Sequence, residues 1–261
     1  MRFSANLSML FTERPLIERF KAAKDCGFDA VEIQFPYELP AETISEQLNN
    51  HELRLVLFNV DADDLLQGGE GLASAPEKNQ QFVDAVNQAA EYAEILQPEF
   101  INILPGCCFD ELRIETYRKI LIENLKIAVN RFSLLGITTV FEAINTLDMP
   151  GFLIHSSQQM LQIMKEVNHP KLLMQYDIYH MSRMAEDIQG FIRNHAREIG
   201  HIQFADNPGR GQPGTGKLNF PEIFQTIKQS EYQGWVGAEY KPVGLTEASL
   251  LWLSSVHDKN S

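Results

Sequence analysis

Short runs of apolar residues alternate along this chain with longer amphipathic segments, and this alternation predicts its architecture. An apolar run such as residues 137–141 is typical of a strand that is buried on both faces. A segment such as residues 114–135 carries apolar side chains at helical spacing and ends at Gly136. Eight units of this kind follow one another, and the predicted strands are residues 3–7, 30–35, 53–58, 100–104, 137–141, 172–177, 201–206 and 235–239.

Eight strands that alternate with eight helices predict a single α/β domain, a (β/α)8 barrel over residues 1–261. The alternation implies parallel strands joined by right-handed crossovers. An open doubly wound sheet is the alternative, but no glycine fingerprint for a nucleotide follows the first strand. An open sheet also gathers its ligands near one switch point, whereas the polar candidates described next spread over four consecutive strands.

Four oxygen-bearing side chains lie at the ends of four successive predicted strands: Glu142, Asp177, Gln203 and Glu239. The carboxyl ends of barrel strands face one mouth, so these side chains should converge. Carboxylate and amide oxygens suit Mg²⁺ or Mn²⁺, and the set lacks the His and Cys ligands that zinc favours. The pattern predicts one divalent-metal site. The alternative is that these residues cap helices or form buried ion pairs.

Four further polar residues follow these strand ends in predicted loops. His180 comes three residues after Asp177 and could donate a hydrogen bond to a substrate oxygen. Arg210 lies in a loop rich in glycine and proline after the seventh strand, where barrels often bind anions, and its planar fork suits a carboxylate. Lys241 offers a second cation, and Asp148 could accept from a hydroxyl. The ordinary alternatives are a structural histidine, solvated cations and a turn cap.

Two loops beside the predicted mouth stand out. Residues 59–78 form a long segment with three glycines and a proline, which predicts either a flap over the mouth or a tolerated surface insertion. Cys107 and Cys108 follow the fourth strand, and we expect them to be inert because nothing nearby in sequence would lower a thiol pKa.

The amino-acid composition limits which binding partners and which cellular compartment we expect for this protein. The chain has 35 acidic and 22 basic residues, a net charge of −13, which argues against a nucleic-acid surface. No apolar run approaches the ~20 residues of a membrane span, and the N-terminus lacks the pattern of a signal peptide. Three cysteines make a poor disulfide framework. We therefore expect a cytoplasmic protein that binds neither nucleic acid nor membrane.

Several stretches at the strand ends resemble the sugar-isomerase-like (β/α)8 barrels, and most closely the hydroxypyruvate isomerase family. The resemblance runs from Arg2 to about Trp252. The related 2-oxo-tetronate isomerases share the first and last stretches and are less similar after strand seven. The matching stretches are residues 3–11 (FSANLSMLF), 175–181 (QYDIYHM), 205–210 (ADNPGR), 213–216 (PGTG) and 234–242 (GWVGAEYKP).

The resemblance implies a role for each candidate residue. Glu142 and Glu239 would be both metal ligands and the two acid/base groups, and Asp177 and Gln203 would complete the metal site. One glutamate would remove a proton from C3 of hydroxypyruvate, and the other would protonate C2 of a metal-stabilised enediolate, which gives tartronate semialdehyde. His180 would polarise a substrate oxygen. Arg210 or Lys241 would hold the carboxylate of this small anionic hydroxy-keto acid.

Three other functions remain open on the sequence. The same chemistry could act on a four-carbon 2-oxo acid, or the barrel could bind a keto acid without turnover. A phosphodiesterase is the third, but the endonuclease branch of the resembled barrels uses three zinc ions and additional histidines, which this chain lacks at most strand ends. The sequence does not fix the oligomeric state, and a homo-oligomer is compatible with it.

Overall fold

The structure, a computed structural model that describes residues 1–253, is a closed barrel of eight parallel strands. Each strand pairs with its neighbours in chain order, and the first strand pairs with the last to close the barrel. The predicted (β/α)8 fold is therefore confirmed. The strands are β1 (Arg2–Asn6), β2 (Ala30–Ile33), β3 (Arg54–Asn59), β4 (Phe100–Ile103), β5 (Thr138–Glu142), β6 (Leu172–Asp177), β7 (Ile199–Phe204) and β8 (Trp235–Ala238).

Nine α-helices within residues 1–253 connect and surround the strands. Among these residues, none of the helices has the length and apolar character that crossing a membrane requires. The helices are α1 (Leu16–Asp25), α2 (Ala41–Asn50), α3 (Asn79–Leu96), α4 (Ile114–Ser133), α5 (Ser157–Val167), α6 (Ile178–Arg183), α7 (Ile188–His195), α8 (Phe220–Gln229) and α9 (Thr246–Ser249).

The connection between β6 and β7 differs from the predicted single helix over residues 185–198. A short helix, α6, starts directly after β6, because the side chain of Asp177 caps it by accepting from the backbone N–H of Tyr179 at 2.7 Å. Ala185 then takes a left-handed conformation (φ 59°), which separates α6 from α7. The early start of α6 places His180 next to the end of β6.

The inside of the barrel contains a buried polar pair on β2 and β7. Glu32 and His201 are both fully buried, and Oε2 of Glu32 lies 2.7 Å from Nε2 of His201. Gly237 on β8 makes room for this pair, because a Cβ at that position would lie 2.0 Å from Oε1 of Glu32 and 2.9 Å from Nε2 of His201. The absence of a side chain at residue 237 therefore allows a carboxylate inside the barrel.

Replacing Gly237 with alanine should destabilise the protein by about 1–3 kcal/mol, because the added methyl group overpacks a rigid interior. Urea unfolding followed by circular dichroism measures this change. Gly209→Ala is the matched control, since no atom lies within 4 Å of a Cβ built there. Equal stability of the two variants would show that Glu32 can move away without penalty.

Candidate active site

A cavity of about 170 Å³ opens at the carboxyl ends of the strands and gathers most of the predicted site residues. Glu142, Asp148, His180, Arg210 and Glu239 all line it. Two amides, Gln34 and Asn59, add polar groups to the wall. The apolar part of the lining consists of Phe35, Leu66, Leu104, Ile144 and Met149.

Glu142 and Asp177 form a buried acidic pair at the ends of β5 and β6. Oε2 of Glu142 accepts from Nδ2 of Asn102 at 3.2 Å and from Nε2 of Gln175 at 2.8 Å. Oδ2 of Asp177 is buried and has no hydrogen-bond partner. Burial, with the charges of neighbouring carboxylates added, raises the pKa of Glu142 well above its ordinary value and that of Asp177 to about 7.

His180 lies beside these two carboxylates, with Nε2 at 3.5 Å from Oδ2 of Asp177 and 3.8 Å from Oε1 of Glu142. Burial is the main reason that its pKa falls well below the ordinary value, so the ring is neutral. Its Nδ1 lies 2.7 Å from Nδ2 of Asn145. The orientation of that amide is fixed, because its oxygen accepts two backbone N–H groups, from Leu147 and Asp148.

The contact with Asn145 therefore assigns the tautomer of His180. Nδ2 of Asn145 is a donor, so Nδ1 of the ring accepts and the single ring proton is on Nε2. A protonated Nε2 donates hydrogen bonds and does not bind a metal ion. This tautomer suits the predicted contact of His180 with a substrate oxygen, and it leaves the carboxylates as the ligand atoms of the cluster.

A divalent cation fits this acidic cluster. Carboxylate oxygens of Glu142 and Asp177 and a ring nitrogen of His180 all lie within 4.8 Å of one another, and the unpartnered Oδ2 of Asp177 is an acceptor that a cation could satisfy. Hard cations prefer the oxygen ligands that the two acids provide.

Glu239 lies at the end of β8 and is held by donors on three sides. Its Oε1 accepts from Nδ2 of Asn6 at 3.0 Å and Nε2 of Gln34 at 2.9 Å. Its Oε2 accepts from Arg210 at 2.6 Å, and the guanidinium of Arg210 lies over the ring of Tyr179 at 5.2 Å from the centroid. Arg210, which the sequence predicted to bind an anion, thus lines the cavity. Asn6 takes part in the site through Glu239, and its Oδ1 also accepts a local hydrogen bond from the backbone N–H of Ser8.

The loop that carries Arg210 is organised around Asp206, whose role the sequence analysis missed. Asp206 is fully buried, and its two oxygens accept four backbone N–H groups at 2.8–3.1 Å, from Asn207, Gly214, Gly216 and Leu218. Arg210 itself is left-handed, with φ of 55°, an uncommon conformation for a residue with a side chain. The Asp206 carboxylate therefore fixes the loop that presents the arginine.

The structure does not bring every predicted site residue to the cavity. The side chain of Lys241 is exposed and does not line the cavity, and its contact with the site is a backbone N–H that donates to the carbonyl of Arg210 at 2.7 Å. Gln203 is fully buried behind Glu239, and its Oε1 accepts from Nε2 of Gln175 at 2.7 Å. A ligand role for Gln203 stays a prediction.

Asp148 lines the cavity, but its oxygens are already used by the surrounding loops. Oδ2 accepts from the hydroxyl of Tyr179 at 2.6 Å and from Nδ2 of Asn145 at 3.1 Å, and Oδ1 accepts from Arg183 at 3.2 Å. These contacts join the β5–α5 loop to α6. A contact between Asp148 and a substrate hydroxyl stays a prediction.

The long segment at residues 59–78 packs onto the barrel and reaches the cavity. Ala62 and Leu65 are buried in an apolar cluster that includes Cys107, and Leu66 joins the cavity wall. Burial raises the pKa of Cys107 to about 11, which agrees with the expected inert thiol. The segment is therefore part of the mouth rather than an insertion away from it.

A closed eight-stranded barrel with buried acids at its mouth defines a TIM-barrel protein with a site built from strand ends. The chain belongs to the family described as xylose isomerase-like TIM barrel, whose model matches residues 20–256. It is 42% identical to hydroxypyruvate isomerase of Escherichia coli K12, over 97% of this chain and 98% of that protein. It is 35% identical to 2-oxo-tetronate isomerase of Pectobacterium atrosepticum, over 96% of each chain.

A solved structure is similar over nearly the whole length. The crystal structure titled AP endonuclease, family 2, from Brucella melitensis matches with a TM-score of 0.93 and 36% identity, over 97% of this chain and 98% of that one. Together with the curated relatives, it confirms the resemblance and the fold that the strand ends predicted.

Replacing Asp206 with asparagine should lower the free energy of unfolding by about 1–3 kcal/mol, because an amide N–H₂ then faces backbone donors that need an acceptor. Urea unfolding measures the stability, and limited proteolysis reports cleavage within residues 207–217. Asp25→Asn is the control, because Asp25 is exposed and makes one surface ion pair with Lys21. If both variants keep wild-type stability and resist the protease, Asp206 does not hold the loop.

Proposed function

We propose that this enzyme, a sugar-acid isomerase by its close relatives, interconverts hydroxypyruvate and tartronate semialdehyde. The observation that carries the proposal is that Glu142 and Glu239 line one small cavity from two different strands, next to Arg210. Two carboxylates on one substrate suit the paired proton transfers of an isomerisation. The relative named hydroxypyruvate isomerase, at 42% identity, supports the three-carbon substrate.

In the proposed mechanism, four of the described side chains would bind the substrate and carry out both proton transfers. Arg210 pairs with the substrate carboxylate, and Nε2–H of His180 donates to a substrate oxygen. One of the two glutamates, Glu142 or Glu239, takes a proton from C3, and the proton of the C3 hydroxyl passes to the C2 oxygen. The other glutamate gives a proton to C2, so that the C3 aldehyde forms and no atom is gained or lost.

The acidic cluster would give this reaction a second source of stabilisation if it holds a metal ion. Glu142 and Asp177 would hold a divalent ion, Mg²⁺ or alternatively Mn²⁺, with Glu239 and Gln203 as the further proposed ligands. When bound, the ion supplies positive charge that stabilises a negatively charged substrate oxygen. Asp177 fits this function, because its buried Oδ2 has no hydrogen-bond partner of its own.

Metal affinity should depend on pH through Asp177. Its pKa of about 7 means that the carboxyl is protonated below pH 7, so a binding metal ion must displace that proton. The apparent Mn²⁺ affinity should fall at least tenfold for each pH unit below 7, because Glu142, whose pKa burial also raises, would lose a proton as well. Titration calorimetry between pH 5.5 and 8.5 measures this. Asp177→Asn should make the pH dependence shallower by about tenfold per pH unit, and a slope equal to that of the wild type would assign the proton to another group, such as Glu142.

Glu142→Gln and Glu239→Gln should each reduce turnover of hydroxypyruvate about 10²- to 10⁴-fold, because each removes one proton-transfer group. Proton NMR in deuterated water follows deuterium uptake and the appearance of tartronate semialdehyde, with Mg²⁺ and after EDTA treatment. Glu115→Gln on the exposed side of α4 is the control and should match the wild type. Folded variants of Glu142 and Glu239 with near-normal turnover would refute the mechanism.

A 2-oxo-tetronate isomerase is the second candidate, favoured by the relatives of that name at 35–36% identity. It would use the same residues on a substrate with one more carbon. Comparing kcat/KM for the two keto acids separates the candidates. The alternatives of a phosphodiesterase and of a keto-acid carrier predict no deuterium uptake, so the same NMR experiment tests them. The net charge of −13 argues against a DNA substrate.

A further inference from the structure

Two glutamine side chains lie inside the barrel behind the cavity and connect the proposed acid/base residues. Nε2 of Gln175 on β6 donates to Oε2 of Glu142 at 2.8 Å and to Oε1 of Gln203 at 2.7 Å. Nε2 of Gln203 on β7 lies 3.4 Å from Oε1 of Glu239 and 3.2 Å from Oε2 of Glu32. All five side chains are buried.

We call this arrangement the amide bridge of Gln175 and Gln203. Each of its two side-chain amides can adopt only one orientation. Each amide nitrogen carries two hydrogens, and each of the four hydrogens has an acceptor. If the amide of Gln203 were reversed, its oxygen would face the carboxylate oxygens of Glu32 and Glu239. If that of Gln175 were reversed, its oxygen would face Glu142. The carboxylates at the ends therefore set the direction of both amides.

Glu32 anchors the far end of the amide bridge. Its Oε2 accepts from Gln203 and faces Nε2 of His201 at 2.7 Å, and the missing side chain at Gly237 leaves space for its other oxygen. Neither Glu32 nor Gln175 lines the cavity. A role in catalysis would therefore act through other residues and not through contact with substrate.

We propose that the amide bridge, anchored on Glu32, sets the positions of Glu142 and Glu239 relative to each other, and that Gln175 and Glu32 are positioning residues for the reaction. The inference rests on the proposed function, because it assumes that these two glutamates transfer protons. Two transfers to adjacent carbons need two carboxylates at a fixed separation. A buried amide network in which all four N–H groups have acceptors restrains them more than exposed contacts would.

The first test is Gln175→Met, which keeps the length of the side chain and removes both donors. We expect kcat for hydroxypyruvate to fall about tenfold or more, with KM little changed because residue 175 does not touch the cavity. Ser4→Ala is the matched control. Ser4 is fully buried, lies two residues before Asn6 on the same face of β1, and has an unpartnered hydroxyl.

A second pair of variants separates positioning from packing. Glu32→Gln keeps an oxygen that can accept from Gln203 and should retain most of the kcat. Glu32→Met has a similar length but no acceptor oxygen and should lose kcat as Gln175→Met does. Folded Gln175→Met or Glu32→Met with the kcat of Ser4→Ala would overturn the proposal, as would equal losses in both Glu32 variants.

A measurement on the wild-type protein needs neither activity nor a folded variant. Hydrogen exchange of ¹⁵N-labelled glutamine side chains should show two slowly exchanging amides, those of Gln175 and Gln203, because all four N–H groups are buried and bonded. Rapid exchange of every glutamine amide would exclude the bridge even if the variants do not fold. If two amides are protected but the wild type turns over neither keto acid, the bridge stands and the proposed function fails.

Discussion

Burying several carboxylates in one barrel is the constraint on which the rest of the site depends. Glu32, Glu142, Asp177 and Glu239 are all at most 5% exposed, and a buried charge is stable only with donors or an opposite charge beside it. The neighbouring strands provide those donors as amides that point inward, with Arg210 as the cation among the cavity-lining residues. The composition of the barrel interior follows from this requirement: side chains that would normally be apolar in a TIM barrel are Asn6, Asn102, Gln175, His201 and Gln203.

The site combines two kinds of support. The acids are on strands, whose positions are fixed by pairing on both sides, and this suits groups that must act at set distances. The cation is on a loop, and the buried carboxylate of Asp206 gives that loop the rigidity that strand pairing gives the acids. His180 is supported in both ways. A helix capped by Asp177 holds its backbone, and Asn145, in a loop, holds its ring.

The strand ends could be predicted from the sequence because their signal is local and periodic. The apolar runs of β5, β6 and β8 each lead into a carboxylate, and chain order alone places Glu142, Asp177 and Glu239 on one mouth. Gln175 and Asn102 could not be assigned in this way, since a single amide within an apolar run gives no indication of its partner on another strand. The exposure of Lys241 also depends on tertiary contacts. The start of α6 depends on a local cap, the contact of Asp177 with the backbone N–H of Tyr179. Asp177 caps a helix through Oδ1, and its Oδ2 has no partner, so the cap does not exclude the predicted ligand role, which stays a prediction.

The anchoring of the Arg210 loop has a thermodynamic consequence for ligand binding. A loop that is ordered only when ligand arrives loses backbone entropy at that moment, and the loss weakens the complex. Here four backbone N–H groups are already bonded to Asp206, so most of that ordering occurs during folding. A small anion makes few contacts and cannot offset a large entropic loss. For the proposed small anionic substrate, a preformed guanidinium would therefore reduce the entropic loss on binding.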